Sequence, residues 1–407
     1  MGHLSRLRVV VVHNRDFDPD AADDPELASR ADVENAARDV ERALRSRGHD
    51  VATRAVASVD ALRGACAVVE ELRRDPPDLV FNLCESLGGD ARHEAVLPSL
   101  LELARIPYTG SGPLGLSVAL RKDLTKRILK SHGVPTPDGV VVDEDRPRAL
   151  GLAFPLIVKP TREDASVGIS SKSVVRDRRE LCARVAEVRA RYRQPALVER
   201  FVDGRELYVS LIGGAAMPMH EIDFSAMPPG RPRIVSYEGK WNLASDEYRG
   251  TRPVRADGLD ARTRARCERA ARAAFAALEL RDYARVDLRL ASGGRPFVID
   301  VNPNCDLSDG AGVSRAASFG GLAYPELIER ICEVALARHR GESPLHAYRV
   351  AAPVVSAAAA APARPDEPRP PDPAERSSRA HETGVPGRAV HPGRGVGRAR
   401  AHRRRAR

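Results

Sequence analysis

Four polar side chains in two apolar stretches have the types that bind metal and phosphate. Asp300 and Asn302 lie two residues apart in one stretch, and Arg285 and Asp287 lie two residues apart in the stretch before it. Because side chains alternate along a strand, each pair shares one face, and pairing of the two strands would bring these groups together. Oxygen ligands suit Mg²⁺, which takes one or two carboxylates and leaves positions for phosphate. The alternative is two edge strands with solvated faces, but Asp and Asn are uncommon in strands.

A lysine at the end of an apolar run could bind an anion. Lys159 follows the run 156–158 and precedes a loop of small residues, 164–171, that contains Ser166. An ammonium and backbone N–H groups at such a place can surround a phosphate. The alternative is a lysine that extends its ammonium from a strand end into solvent.

Acidic residues flank a turn at Gly204. Glu199 precedes this turn and Glu206 follows it, each in a strand-like segment. Carboxylates placed in this way can accept hydrogen bonds from an adenine amino group or from ribose hydroxyls. The alternative is a hairpin with solvated charges.

Strand and helix patterns alternate in the first hundred residues, and the elements that they predict must help to position these polar side chains. The strands are predicted over residues 9–12, 51–56 and 78–83, and the helices over 33–44 and 61–72. A strand–helix–strand order predicts a parallel α/β sheet with right-handed connections. Such sheets bind ligands beyond the carboxyl ends of their strands, where Glu85 lies.

Two further mixed units follow. A helix rich in Lys and Leu is predicted over residues 116–133. The remaining strands are predicted over 156–159, 173–175, 196–199, 206–212, 284–290 and 296–301, and the remaining helices over 179–191, 261–278 and 324–337. After Tyr348 the chain is rich in Ala, Pro, Arg and Gly, and we expect disorder there because little apolar surface can be buried.

Composition restricts the classes of protein. A length of 407 residues predicts two or three domains. No apolar run approaches the length of a membrane span, so we expect no membrane partner. The scattered cysteines described next fit a reducing cytoplasm. The six cysteines lack a Cys-x-x-Cys pair, which argues against a disulfide framework or a zinc site; they are Cys66, Cys84, Cys182, Cys267, Cys305 and Cys332.

The net charge of +9 belongs mostly to the C-terminal stretch. Residues 350–407 hold 12 Arg against 5 acidic residues. Arginines at this density can bind polyanions weakly, but no aromatic residues lie among them to stack on bases. We therefore expect no specific nucleic-acid partner.

Several of these segments, taken in order, resemble the ATP-grasp ligases, most closely the D-alanine–D-alanine ligases. The similarity runs from about residue 8 to residue 340. The segments that carry it are Phe81–Leu83, Ile106–Ser111, Lys122 and Lys126 before Gly133–Pro135, Val158–Pro160 with Ser166–Gly168, Glu199 with Gly204 and Glu206, Lys240, Ala284–Asp287 and Asp300–Pro303.

The resemblance implies an α/β architecture with the ATP-grasp fold. It places an N-terminal Rossmann-like domain over residues 1–115, a central ATP-grasp lobe over 116–212 and a C-terminal lobe with the magnesium site over 213–345. The two lobes would enclose ATP, and residues 346–407 would form the disordered tail.

The resemblance also implies site residues and cofactors. ATP and two Mg²⁺ ions are expected, with Mn²⁺ as an alternative metal. The implied roles are ATP phosphate binding by Lys122, Lys159 and the Ser166 loop, adenine recognition by Glu199 and the backbone near Val202, ribose binding by Glu206, contact with the γ-phosphate by Lys240, metal ligation by Asp287, Asp300 and Asn302, and stabilisation of the tetrahedral oxyanion by Arg285.

The implied reaction joins a carboxylate to an amine through an acyl phosphate, as in peptidoglycan biosynthesis. Water would hydrolyse this intermediate, so we expect a lid, with segments 166–171 and 237–248 as candidates. The expected partners are ATP and small amino-acid or peptide substrates, and a homodimer stays open.

The amino-acid half departs from the family pattern more than the ATP half. The Gly-Gly-x-Ser-x-Glu loop of those ligases is replaced by His13–Asp18, their Leu-His-Gly by Leu83–Glu85, and their Pro-Gly-Met-Thr loop by Asn304–Gly312. Trp241 stands in place of the tyrosine after the lid lysine, and Ala165 in place of a serine.

Three interpretations of the function therefore stay open: a D-alanine–D-alanine ligase-like enzyme, an ATP-grasp ligase for another amino acid or peptide, and a non-catalytic ATP-binding protein. Candidate groups for a substrate amine are Asp16, Glu85 and Asp306, and candidates for a substrate carboxylate are Arg15 and Arg315.

Overall fold

Three β-sheets covered by helices form the described part of the chain. The computed structural model describes residues 4–17, 27–57, 60–145, 147 and 150–341. The predicted disordered tail, residues 346–407, lies outside these ranges. The strands are β1 Arg8–Arg15, β2 Asp50–Ala57, β3 Leu79–Asn82, β4 Gly139–Val142, β5 Leu156–Pro160, β6 Val174–Val175, β7 Ala196–Arg200, β8 Arg205–Ile212, β9 Ala215–Ala216, β10 His220–Asp223, β11 Arg252–Arg255, β12 Tyr283–Ala291 and β13 Arg295–Asn302. The α-helices are α1 Leu27–Ser46, α2 Ala61–Arg74, α3 Val96–Ala104, α4 Pro113–Leu120, α5 Lys122–Ser131, α6 Arg178–Tyr192, α7 Tyr237–Trp241, α8 Asp246–Arg249, α9 Ala261–Ala277, α10 Gly312–Phe319 and α11 Tyr324–His339.

The first sheet is parallel, with strand order β2-β1-β3, as predicted. Val9 and Val11 pack against α1 and α11 on one face, whereas Val10 and Val12 pack against α2 and α3 on the other. A strand buried on both faces needs a continuous apolar run, which explains the valines of β1. The carboxyl ends of β1 and β3 therefore point to one edge, where Glu85 follows β3.

The second sheet is antiparallel, with order β4-β7-β5-β6, and α6 covers one face. Val158 and Val198 pack against this helix. Because side chains alternate along a strand, Lys159 on β5 and Glu199 on β7 project from the opposite face. Two predicted ligand-binding residues therefore lie on the face of the sheet that α6 leaves uncovered.

The third sheet has the order β11-β10-β8-β12-β13, with β9 paired to β8. Ala284, Val286 and Leu288 pack in the core that contains α9, so the alternate side chains of β12 project from the other face. Strands β12 and β13 pair, with Arg285 opposite Asn302. The pairing on which the predicted metal site depends is thus present.

Strand β8 belongs to the third sheet. Residues 206–212, predicted to lie in the central lobe, form most of β8, which pairs with β10 and β12. The predicted domain boundaries otherwise stay a prediction. No helix among the described residues is both long and apolar enough to cross a membrane.

The single helix predicted over residues 116–133 is wrong. The structure has two helices, α4 and α5, separated at Arg121, whose φ of −88° and ψ of 83° are not helical. The backbone N–H of Lys122 donates to the carbonyl of Thr161 at 3.1 Å. This contact outside the helix places Lys122 at the start of α5, beside the second sheet.

Candidate active site

One cavity of about 630 Å³ gathers the predicted site residues. It lies between the exposed faces of the second and third sheets and continues to the carboxyl edge of the first. All eleven predicted site residues line it: Lys122, Lys159, Ser166, Glu199, Val202, Glu206, Lys240, Arg285, Asp287, Asp300 and Asn302. The structure therefore brings these residues together, and their individual roles stay predictions.

The predicted metal ligands lie against a lysine. Asp287 and Asp300 are opposite each other across β12 and β13, and the Asn302 amide donates to Asp287 Oδ2 at 3.2 Å. The Lys122 ammonium lies 2.8 Å from Asp300 Oδ1 and 3.3 Å from Asp164 Oδ1. Burial alone would raise the pKa of Asp300, but Lys122 and Lys159 outweigh it and the pKa is lowered. Asp300 is therefore ionised at neutral pH.

The Arg285 guanidinium is fixed in orientation. It donates to both oxygens of Asp287, at 2.7 and 2.9 Å, and it lies 4.9 Å above the centre of the Tyr208 ring. A bidentate pair of this kind holds the plane of the guanidinium. Burial would lower the pKa of Arg285, but the carboxylate of Asp287 outweighs burial and the pKa is raised. The guanidinium is therefore always charged.

Glu199, the predicted adenine ligand, belongs to an ion cluster that was predicted only in part. Glu199, which is 2% exposed, is bonded by Lys126 and lies 2.5 Å from the Lys159 ammonium. Burial would raise the pKa of Glu199, but Lys159 and Lys126 lower it. Lys126 carried no predicted role. Its signal was the spacing of four residues from Lys122, which puts both lysines on one face of α5.

The predicted ribose ligand is held by a residue that was not predicted. Glu206 lies 3.1 Å from the guanidinium of Arg289 and accepts from the Tyr208 hydroxyl at 2.9 Å. Arg289 is 3% exposed and lines the cavity. It follows Arg285 and Asp287 at the same spacing of two, so strand periodicity extended by one step would have found it.

The two predicted lid segments contact each other. The backbone N–H of Tyr237 donates to the carbonyl of Ile169 at 2.9 Å, and Trp241 donates from Nε1 to the carbonyl of Ala165, just before the first segment, at 3.0 Å. The Lys240 ammonium lies 4.6 Å from the centre of the Trp241 ring. Burial and Arg285 lower the pKa of Lys240. Lys240, the lysine predicted to contact the γ-phosphate, therefore belongs to a predicted lid segment.

Comparison with known proteins identifies the family. The family model described as the D-ala D-ala ligase C-terminus matches residues 129–333. The D-alanine–D-alanine ligase of Chromohalobacter salexigens is 34% identical over 262 residues, which cover 63% of this chain and 77% of that protein. The uncharacterized protein y4sG of Sinorhizobium fredii is 35% identical over 280 residues, or 66% of this chain and 80% of that protein.

The chain belongs to the D-alanine–D-alanine ligase family. A solved structure of the Bacillus anthracis D-alanine–D-alanine ligase, complexed with ATP, superimposes with a TM-score of 0.64 at 20% identity, and covers 83% of this chain and 99% of that one. At this identity the likeness shows the fold alone. This likeness confirms the predicted ATP-grasp fold, and the family model with the sequence relatives confirms the predicted family of ATP-dependent ligases.

Two of the five candidate substrate groups lie outside the cavity lining of this family member. Asp16 accepts hydrogen bonds from Asn14, Ser86 and the N–H of Gly89, and it does not line the cavity. It therefore holds two loops together. Arg15 pairs with Glu34 at 3.2 Å and does not line the cavity. The roles suggested for these two residues stay untested.

The other three candidate substrate groups line the cavity. They are Glu85, Asp306 and Arg315. Asp32 of α1 and His220 of β10 also line it and were not predicted. Neither belongs to a motif, and each reaches the cavity only through the tertiary packing of its element.

Proposed function

We propose that this chain uses ATP to join the carboxylate of one amino acid to the amine of another through an acyl phosphate. The observation that carries the proposal is the position of Arg285. Its oriented guanidinium lines the same cavity as a cluster of Lys122, Asp287 and Asp300 that is suited to a metal-bound triphosphate. ATP binding alone does not require a guanidinium fixed in this way.

The residues present fit magnesium. Among the described residues no three His, Cys, Asp or Glu side chains form a metal-binding group. Asp287 and Asp300 with the Asn302 amide oxygen supply two carboxylates and one neutral ligand, and Mg²⁺ takes its other ligands from phosphate and water. The Lys122 ammonium already neutralises Asp300. When bound, the metal would neutralise charge on the transferred phosphoryl group.

The first step transfers the γ-phosphoryl group. A carboxylate oxygen of the first substrate attacks the γ-phosphorus, the bond to the β-phosphate oxygen breaks, and ADP leaves. Both reactants are anions, so Lys122, Lys159 and Lys240 reduce their repulsion and hold them in line. Lys159 would exchange Glu199 for phosphate in this arrangement.

The second step forms the amide. The amine of the second substrate attacks the acyl carbon and loses a proton, the bond to the phosphate oxygen breaks, and inorganic phosphate leaves. Arg285 would donate to the oxyanion that forms at the acyl oxygen. The lid formed by segments 166–171 and 237–248 would exclude water, which otherwise hydrolyses the acyl phosphate.

Release of inorganic phosphate tests the proposal. With Mg-ATP we expect stimulation by at least one amino acid alone or in a pair, with ligated product equal to the phosphate released. A continuous phosphate assay over amino acids of both configurations, followed by mass spectrometry, measures both quantities. Protein that binds ATP but releases no phosphate with any pair would be a nucleotide-binding protein without ligase activity.

The single tryptophan of the chain reports on the lid. Because Trp241 bonds the Ala165 carbonyl and stacks on Lys240, ATP contact with Lys240 is expected to change its environment. We expect a saturable change in tryptophan fluorescence on titration with Mg-ATP, and protection of both segments from limited proteolysis. Trp241→Phe provides the control, since the fluorescence change must vanish while proteolytic protection persists. Neither change on saturation with ATP would contradict the predicted lid.

A further inference from the structure

Arg289 is a buried arginine in the part of the cavity where the nucleoside of ATP is predicted to bind. It lines the cavity together with Val202 and Glu206. Its guanidinium lies 3.1 Å from a carboxylate oxygen of Glu206, donates to the carbonyl of Gly204 at 2.9 Å, and donates to the carbonyl of Arg233. A buried cation requires such partners, because it is costly to remove from water.

Two aromatic rings also hold the Arg289 guanidinium. Its central carbon lies 5.4 Å from the centre of the Phe201 ring and 5.7 Å from the centre of the Phe224 ring. A cation at this distance from an aromatic ring is attracted to it. Phe201 and Gly204 belong to the connection between β7 and β8, and Phe224 and Arg233 to the connection between β10 and α7. Arg289 therefore joins β12 to two loops, through both hydrogen bonds and ring contacts.

The Glu206 carboxylate is held through both of its oxygens. Oε2 lies near Arg289, and Oε1 accepts from the Tyr208 hydroxyl at 2.9 Å. A carboxylate has about four acceptor positions, so these contacts leave room for a pair of neighbouring hydroxyl groups. Burial raises the pKa of Glu206, and Arg289 is the largest influence that lowers it. Arg289 thus favours the ionised carboxylate and fixes its orientation.

The turn that Arg289 bonds carries both predicted nucleoside contacts. Val202, whose backbone is predicted to read the adenine edge, lies two residues before Gly204, and Glu206, predicted to bind ribose, lies two residues after it. A side chain at Gly204, where φ is +148°, would collide with the carbonyl oxygen of Leu290. Because Leu290 follows Arg289 in β12, this strand fixes the turn at two neighbouring positions.

Stability of the fold alone does not account for the pair of Arg289 and Glu206. A buried ion pair contributes little to stability compared with apolar residues of the same volume. The pair also lines the cavity, where ligand groups can reach the carboxylate. An arginine that orients a carboxylate toward a ligand has both of these properties.

We propose that Arg289 is a positioning residue that holds Glu206 toward the ribose hydroxyls and thereby determines selectivity for ribonucleotides over deoxyribonucleotides. This inference rests on the ATP binding that the proposed function requires. Arg289 acts through Glu206, which accepts the hydroxyl protons in hydrogen bonds. A nucleotide without one hydroxyl leaves a buried carboxylate incompletely bonded, so the site rejects it.

Nucleotides that differ by one hydroxyl test the selectivity. Isothermal titration calorimetry of the full chain, in excess Mg²⁺, gives Kd for ATP, 2′-deoxy-ATP and 3′-deoxy-ATP. We expect ATP to bind about 10- to 100-fold more tightly than at least one of the deoxynucleotides, because a hydrogen bond to a buried charged group is lost. No amino-acid substrate is needed for this measurement.

Variants of Arg289 test its part in this selectivity. Arg289→Met keeps an unbranched side chain beside Phe201 and Phe224 and removes the guanidinium. We expect it to reduce the ratio of the two Kd values, deoxynucleotide to ATP, to about three or less, since Glu206 then loses its orientation. Arg289→Lys keeps the charge with a single ammonium and should recover part of the ratio. Arg63→Met, at an exposed arginine that pairs with Asp60, should leave the ratio unchanged.

A double-mutant cycle distinguishes positioning from a structural role. Glu206→Gln alone should also reduce the ratio, and Arg289→Met added to Glu206→Gln should reduce it no further, because both changes act on one interaction. Thermal unfolding is followed for each variant. Since Arg289→Lys retains the buried charge, it gives the same comparison with less disturbance of the fold.

The outcomes separate this inference from the ligase function. Equal Kd values for the three nucleotides in the unchanged chain overturn the inference. Equal weakening of ATP and both deoxynucleotides by Arg289→Met overturns it as well, because Arg289 would then be structural. Selective ATP binding that Arg289→Met abolishes, in protein that releases no phosphate with any amino acid, supports the inference and contradicts the ligase function instead.

Discussion

Replacement of Arg285 by glutamine is expected to lower kcat by about 10²- to 10³-fold, equivalent to about 2.7–4 kcal/mol. The guanidinium is oriented by two hydrogen bonds to Asp287 and faces the cavity. A preoriented cation stabilises charge that develops only in the transition state, so its loss changes turnover more than substrate binding. Steady-state kinetics should therefore show a lower kcat with a nearly unchanged KM for ATP.

Two further variants serve as controls for this experiment. Arg285→Lys keeps the charge but loses the bidentate geometry, and should recover only part of the activity. Arg63→Gln removes a surface arginine, 89% exposed, that pairs with Asp60, and should have wild-type kinetics. Because Arg285→Gln leaves Asp287 without its cationic partner, thermal unfolding must be measured too. An Arg285→Gln enzyme with unchanged kcat would show that this guanidinium does not stabilise the oxyanion.

Strand periodicity predicted which side chains of β12 and β13 share a face. Arg285 and Asp287 on one strand, and Asp300 and Asn302 on the next, share a face because side chains alternate with a period of two. The pairing of β12 with β13 is between strands adjacent in sequence, which is the commonest arrangement. Local rules were therefore sufficient to place these four side chains together.

Tertiary packing determined the partners that the sequence did not predict. Lys122 and Asp300 lie 178 residues apart in the chain, yet their side chains are 2.8 Å apart. Glu199 is shared by Lys126 and Lys159 from two different elements. A motif specifies the type of a charged residue, but its partner depends on how sheets and helices pack. Asp32 and His220 were missed for the same reason.

The charged side chains of the site form ion pairs with one another in this structure. Lys122 pairs with Asp300, Lys159 with Glu199, and Arg285 with Asp287. Buried charges require such partners, because an isolated ion is costly to remove from water. ATP would therefore enter by exchange of partners, in which phosphate replaces a carboxylate at a lysine. Asp300 is the position where this exchange has the largest consequence.

Replacement of Asp300 by asparagine is expected to lower kcat/KM for ATP by about 10²- to 10³-fold, since metal ligation contributes several kcal/mol of charge stabilisation. The concentration of Mg²⁺ required for half-maximal activity should rise at least about tenfold, because one of two carboxylate ligands is lost. Titration of Mg²⁺ at fixed ATP measures this shift. Asparagine keeps the shape of the side chain, and Lys122 retains Asp164 at 3.3 Å, so the fold should persist.

The matched change Asp257→Asn, at a side chain that is 79% exposed, should leave both the activity and the Mg²⁺ requirement unchanged. If Asp300→Asn lowers turnover without any change in the Mg²⁺ requirement, Asp300 acts by holding the Lys122 ammonium and is not a metal ligand. Full activity in this variant would contradict both roles. The Mg²⁺ titration therefore distinguishes a ligand that binds the metal from an anion that only positions a lysine, a distinction that the 2.8 Å contact alone does not make.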